Sequence, residues 1–306
     1  MNPTSSQTRS LDGIAAEGGT FAIVAMDQRN TLRRMFTAVG RDGTDQELRD
    51  AKADVARALT PSASGLLSDP TYGVPAITEA GALAESCGLL VAAEPAERRS
   101  YRNEPRTHRD PALNAQWVID QGGDALKFFV QLRADRPAPA AGEPDLVAEG
   151  LAVCREVIDD CRAAGLPVVI ENLVYSLPGQ ELQGREREDA IIEAARALND
   201  LDIDLLKLEY PGSPEGCRRL ASILDRPWAV LSAGVPFAEF SKVMRIGFDD
   251  GGASGFIAGR SVWREAVALD GRERQEFLTT VALPRLAELT AIAATYARPW
   301  EAAGAR

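Results

Sequence analysis

With 306 residues, 45% of them hydrophobic and 26% charged, the chain can bury a large core and is too apolar to be disordered. Its formal net charge of −11 argues against nucleic acid as a partner, because phosphate neutralisation needs a basic face. A small anionic ligand needs only a local cluster of donors and stays open. The single histidine, His108, excludes sites built from two or three imidazoles, which removes the usual zinc hydrolase and His-bound zinc aldolase arrangements.

The polar start, MNPTSSQTRS, lacks an apolar h-region, so no signal peptide is expected. No unbroken apolar run approaches ~18 residues, so no membrane span is expected either. Short apolar, β-branched runs recur at 21–27, 65–69, 89–94, 125–132, 167–174, 204–210, 228–234 and 255–260. Between them lie helical patterns. In 45–60, Leu48, Ala51, Val55, Ala58 and Leu59 share a face, and in 186–199 Ile191, Ala195 and Leu198 do. Alternating β and α elements imply a parallel sheet, and eight repeats imply closure into an α/β (β/α)8, or TIM, barrel. The competing open sheet lacks a GxGxxG after its first strand. One domain, 1–306, is expected, with the tail 273–297 as a further C-terminal helix kinked at Pro284.

The longest irregular stretches, 95–111, 133–144 and 175–185, each follow a strand and therefore fall on the C-terminal face, where barrel active sites form. Cys87, Cys154, Cys161 and Cys217 form no CxxC pair, and reduced core thiols in a cytoplasmic protein are expected.

Lysine is scarce: Lys52, Lys127, Lys207 and Lys242 are the only four, so 30 of the 34 basic residues are arginine. Two of these lysines sit in apolar strand-like runs, DALKFF (124–129) and DLLKLE (204–209). Burying an ammonium is costly unless it is paired, and desolvation can free a lysine amine as a Schiff-base nucleophile. A snorkelling or salt-bridged lysine is the plain alternative. Two nearby ammonium groups would also depress each other's pKa.

The other polar residues at strand ends are Asp27, Asp69, Glu94, Glu171, Glu209, Ser232 and the pair Gly259-Arg260. Side chains alternate along a strand, so Lys207 and Glu209 share a face. Glu171, in VVIENLV, is the candidate general acid/base, with a salt bridge to Lys127 or Lys207 as the alternative. Asp27 could line a site or cap the helix expected at 31–38. Ser232, Gly234, Gly259 and Arg260 lie in glycine-rich turns after strands seven and eight, a recurrent place for phosphate in such barrels.

These segments resemble the class I aldolases that cleave tagatose 1,6-bisphosphate, and still more those that cleave 6-deoxy-6-sulfofructose 1-phosphate. The resemblance rests on GGTFAIVAMDQRNTLRRMF (18–36), ARALTPSASGLLSD (56–69), GGDALKFFVQLRAD (122–135), REDAIIEAARAL (187–198), DLLKLEYP (204–211), LSAGV (231–235) and GASGFIAGRSVW (252–263). It implies a metal-free and cofactor-free Schiff-base mechanism, with Lys207 as the imine-forming lysine and Glu171 as acid/base. Asp27, Gln28 and Lys127 would line the substrate hydroxyls, Ser232, Gly234, Gly259 and Arg260 would bind phosphate, and Arg29 would meet a second anion. DPTYGVPA (69–76) is similar to the tagatose branch, whereas the strand-eight region is similar to the sulfosugar branch. The expected partner is a small phosphorylated sugar or sulfosugar, and a homo-oligomer is expected. A barrel that binds such a ligand without turnover is the rival reading.

Overall fold

The computed structural model describes residues 9–303, so the N-terminal segment read as lacking a signal peptide lies largely outside the described residues. Within them, eight parallel strands close into a barrel in chain order. They are β1 (Phe21–Met26), β2 (Gly65–Ser68), β3 (Gly88–Ala92), β4 (Ala125–Val130), β5 (Val168–Asn172), β6 (Leu205–Leu208), β7 (Trp228–Leu231) and β8 (Gly255–Ala258). Pairing of Phe21–Val24 with Gly255–Ala258 shuts the ring. Every expected strand is present, ending one to three residues before the expected run does.

The period-two alternation of each strand sorts its side chains into two cores. Ile23, Leu67, Leu90, Ala125, Val169, Leu205, Ala229 and Ile257 fill the barrel interior, and Leu11 and Ile14 plug its N-terminal end. Val24, Leu66, Leu89, Phe128, Ile170, Leu206, Val230 and Phe256 face outward into the helices. Two residues beyond Ala125, Val169 and Leu205 come Lys127, Glu171 and Lys207. They therefore point inward too, one layer nearer the C-terminal face.

The helices form where the sequence pattern predicts them. Asp45–Leu59 opens with a capping box in which Thr44 and Glu47 satisfy each other's backbone N–H groups. Leu146–Ala164 starts at an Asp145 cap, ends at Gly165 in the left-handed region, and buries Cys154 and Cys161 on its inner face. All four thiols are free and buried.

Two departures have physical causes. The stretch 95–111 contains a hairpin, Arg99–Tyr101 against Glu104–Arg106, turned at Arg102 and Asn103 with φ 48° and 68°. Its strands are polar and carry no apolar alternation, so the pattern reads as loop. The tail is three pieces, Gly271–Phe277, a wide π turn at Leu278–Ala282, and Leu283–Tyr296. The wide turn precedes Pro284, which lacks an N–H and cannot follow an ordinary helical turn without a clash. By length and composition alone the helical run Gly271–Ala302 passes for a membrane span, because Arg285 and Glu288 interrupt its apolar run without lowering its mean hydropathy far. Its inner stripe of Leu278, Ala282, Leu286, Leu289 and Ala293 is buried against the barrel's outer layer.

Candidate active site

Above the apolar plug the interior turns ionic. Lys127 Nζ lies 2.6 Å from Glu171 Oε2, 3.0 Å from Glu94 Oε1 and 3.0 Å from Asp27 Oδ2. Lys207 Nζ lies 2.9 Å from the other oxygen of the same glutamate, Glu171 Oε1. Glu171 thus bridges the two lysines, and both ion pairs weighed as alternatives from sequence exist. Asp27 does not cap the helix Asn30–Ala38, which begins after Arg29 without a side-chain cap; its carboxylate meets Lys127 and accepts a hydrogen bond from Gln28 Nε2 at 3.0 Å.

This geometry sets the charges. Burial alone would raise the pKa of Glu171 and Asp27, but the ammonium groups of Lys127 and Lys207 outweigh it and hold both carboxyls below their ordinary values. Burial would lower the pKa of Lys127, yet Glu171, Glu94 and Asp27 overcome it and raise it above that of an ordinary lysine. For Lys127 this corrects the expectation of mutual depression: three carboxylates outweigh one neighbouring ammonium. Lys127 is a fixed cation. Among the described residues, Lys207 has one carboxylate partner where Lys127 has three.

A cavity of about 550 Å³ opens over this layer at the C-terminal strand ends. Asp27, Gln28, Arg29, Lys127, Glu171, Lys207, Ser232, Gly259 and Arg260 all line it, and Gly234 stands beside the lining residue Ala233. Glu209 shares the face of Lys207 as alternation requires, but its carboxylate is engaged by the Val174 N–H at 2.8 Å and by Arg187. Burial pushes the Glu209 carboxyl up, against the pull of Arg187.

On the β7–β8 side, Ser232 Oγ accepts from the Gly259 N–H at 3.4 Å, and Arg260 Nη2 donates to the Ala233 carbonyl at 3.4 Å. Arg264 donates to the Gly234 carbonyl. A Cβ on Gly234 would lie 3.0 Å from Arg260 Cζ, and its φ of 78° favours glycine. Burial, and then the charge of Arg264, lower the Arg260 pKa. On the opposite wall Arg29 Nη2 donates to the Glu94 carbonyl at 3.0 Å and lies 3.7 Å from Glu94 Oε1.

Sequence reasoning missed several residues here. Arg98 stacks 4.1 Å over the Phe129 ring, and Arg34 stands on the same wall as Arg29. The position of Arg98 in an irregular stretch after β3 was the available signal. Asp69 does not reach the cavity; it is fully buried against Lys52. His108 lies outside the cavity, in the cleft beside the hairpin, and Lys242 is exposed on an outer helix. A second cleft, about 410 Å³, opens near Arg162, Asp204 and Trp300 at the opposite end and gathers no lysine.

An eight-stranded barrel of this kind now meets its relatives. The profile of the DeoC/LacD family aldolases matches residues 21–265, and the chain belongs to that family; it is an enzyme, a class I aldolase. It is similar to the tagatose 1,6-diphosphate aldolase of Lactococcus lactis subsp. lactis, 27% identical over 97% of this chain and 98% of that one. It is also similar to the tagatose 1,6-diphosphate aldolase of Streptococcus pneumoniae (strain ATCC BAA-255 / R6), 28% identical over 95% and 96% of the two chains. Among solved structures, an archaeal fructose 1,6-bisphosphate aldolase gives a TM-score of 0.63 at 17% identity, covering 92% of this chain and 97% of that one. A Schiff-base-forming fructose-1,6-bisphosphate aldolase gives 0.62 at 17%, with 92% and 98% covered. At such identity the structures speak for the fold.

Proposed function

We propose that the enzyme cleaves a ketohexose 1-phosphate bearing a second anion on carbon 6, through an imine on Lys207. The observation that carries this reading is the asymmetry around Glu171: one of its lysines is locked as a cation by three carboxylates, and the other faces the cavity with one carboxylate partner.

The Lys207 amine attacks the ketone at carbon 2, and the carbinolamine loses water to give a protonated imine. The carbon-3 to carbon-4 bond then breaks. Its electron pair flows into the imine nitrogen to form an enamine, while Glu171 takes the carbon-4 hydroxyl proton and an aldehyde leaves. Reprotonation at carbon 3 and hydrolysis release dihydroxyacetone phosphate and restore the amine. Glu171 Oε1, 2.9 Å from Lys207 Nζ, is within reach of each transfer. A carboxylate held below its ordinary pKa starts as base, not acid. The fixed Lys127 cation would hold substrate hydroxyls and offset negative charge as it develops. Gln28 Oε1 and Glu94 Oε2 are buried without a hydrogen-bond partner among the described residues, and would accept from those hydroxyls.

The 1-phosphate would meet Arg260, Ser232 and the backbone at Gly234 and Gly259. The second anion would meet the wall carrying Arg29, Arg34 and Arg98. For that anion, relatives named for tagatose 1,6-bisphosphate favour a phosphate, giving glyceraldehyde 3-phosphate. The strand-eight stretch GASGFIAGRSVW favours the sulfonate of 6-deoxy-6-sulfofructose 1-phosphate, giving sulfolactaldehyde and a place in sulfoquinovose degradation. We read residues 1–306 as one domain acting in the cytoplasm, where four unpaired buried thiols would stay reduced.

Two measurements test this. Incubation with dihydroxyacetone phosphate and borohydride should add one reduced adduct, mapped to Lys207 and absent in Lys207→Met. A label on Lys127 with Lys207 unmodified would overturn the assignment. Comparing cleavage of tagatose 1,6-bisphosphate, fructose 1,6-bisphosphate and 6-deoxy-6-sulfofructose 1-phosphate then decides the group on carbon 6.

A further inference from the structure

Lys52 and Asp69 form an ion pair of 2.6 Å in which both side chains are fully buried, yet neither lines the cavity. The three ammonium protons of Lys52 have three acceptors: Asp69 Oδ1, the Met26 carbonyl at 2.6 Å and the Gln28 carbonyl at 2.9 Å. Asp69 is equally committed. Its Oδ2 accepts from the N–H groups of Thr71 and Tyr72 at 3.0 and 2.9 Å, and its Oδ1 from that of Gly73 at 3.2 Å. The pair therefore staples the turn after β1 to the turn after β2, from a helix, Asp45–Leu59, that packs outside the barrel.

Met26 and Gln28 flank Asp27 in the chain. The Met26 carbonyl belongs to the peptide plane that enters Asp27 and the Gln28 carbonyl to the plane that leaves Gln28, so one ammonium holds both ends of the Asp27-Gln28 pair. Asp27 is thereby turned from Lys52 toward Lys127 at 3.0 Å, and Gln28 Nε2 rests on the Asp27 carboxylate at 3.0 Å. Stability alone gives little reason to keep such a pair, because desolvation offsets much of the attraction and well-packed apolar replacements are often neutral or better. A backbone grip of this kind has a use when the two residues between the gripped carbonyls, Asp27 and Gln28, must hold their position.

We propose that Lys52, anchored by Asp69, is a positioning residue for the aldol site, setting the orientation of Asp27 and Gln28 toward Lys127 and the substrate. This rests on the reading of Asp27 as a residue that contacts the substrate hydroxyls. A side chain that acts only through Asp27 loses its effect once Asp27 is disabled, whereas one that only stabilises the fold does not.

The test uses full-length protein and dihydroxyacetone phosphate alone, whose enzyme-catalysed exchange of a carbon-3 proton with deuterated water is followed by NMR without regard to the carbon-6 group. Wild type, Lys52→Met, Asp27→Asn and the double variant are compared. Misplacement of a reacting group by about 1 Å costs up to roughly 10²-fold in rate. Lys52→Met should accordingly lose about 10- to 100-fold in kcat with KM changed less than about threefold, and borohydride should still trap the imine on Lys207. Adding Asp27→Asn should cost less than about threefold more, although that change alone costs the wild type at least about tenfold.

If Lys52→Met does not fold, Lys52→Met/Asp69→Asn takes its place, since it leaves no lone charge in the core and retains an acceptor for the β2 turn. A folded variant that keeps exchange within about twofold of wild type overturns the proposal, as do losses that multiply in full with Asp27→Asn. Asp27→Asn without effect in the wild type would remove the reading of Asp27, and the positioning role with it, while leaving the Lys207 imine standing.

Discussion

Arg260 and Arg264 stand beside the same β7 turn with no ion pair to either among the described residues, although the neighbouring layer of the barrel is rich in carboxylates. Two adjacent guanidinium groups without a carboxylate in contact are suited to an anion brought by the substrate. A charge-assisted hydrogen bond to phosphate is worth about 1.5–3 kcal/mol, so Arg260→Ala should lower kcat/KM by roughly one to two orders of magnitude. Arg260→Lys should recover only part, because a point charge cannot reproduce the fork. An unchanged KM with a lowered melting temperature would sink the phosphate role. Lys207, Lys127 and Glu171 were legible in the sequence because each is a charge set at the inward period of an apolar strand. Which ammonium meets which carboxylate was not, because that depends on how neighbouring strands are staggered around the ring. Lys52 lies on the apolar stripe with Leu48 and Val55, yet a helical lysine can snorkel to solvent, so its burial could not be read.

At the scale of elements, β8 passes so close to β1 that a Cβ on Gly259 would lie 2.4 Å from the Ala25 carbonyl oxygen. Backbone cannot yield there as a flexible side chain would. Gly259→Ala should cost about 1–3 kcal/mol, as overpacking does, and should also raise KM for the phosphorylated substrate by loosening the Ser232 contact. Melting and Michaelis curves on one preparation check this; a variant that matches wild type in both would mean the strands have room to part. The barrel strands were readable because each is a short, wholly buried run between amphipathic helices. The hairpin at 99–106 was not, since its pairing rests on backbone hydrogen bonds and a polar turn, with side chains that carry no hydrophobic alternation. Pro284 was seen as a kink, but only the structure reveals the wide turn at Leu278–Ala282 that accommodates it.

For the whole molecule, the buried ionic layer ties stability to pH with a definite sign. Asp27 and Glu171 have depressed pKa values, so the stability they contribute is present above their unfolded values near ~4 and is lost as pH falls from there. Lys127 has a raised pKa, so its contribution is complete below ~10.4 and is lost only as pH rises through its higher folded value. The melting temperature should therefore be nearly flat from about pH 5 to 8 and fall steeply below about pH 4, while above about pH 8.5 the four buried thiols, pushed up to about 12 by burial, draw it down as their unfolded counterparts ionise. A decline already under way between pH 7 and 5 would mean that the layer is not the acid-sensitive part of the fold.

The economy in lysine has a practical consequence for chemical labelling. Lys52, Lys127 and Lys207 are buried, and Lys242 alone among the lysines is exposed. Among the lysines, an amine-acylating reagent applied to the folded protein should thus tag Lys242 first. A slower second lysine tag, on Lys207, would report the accessibility of the cavity floor, and a phosphorylated ligand that suppresses it while leaving Lys242 reactive would reveal its own occupancy by mass alone.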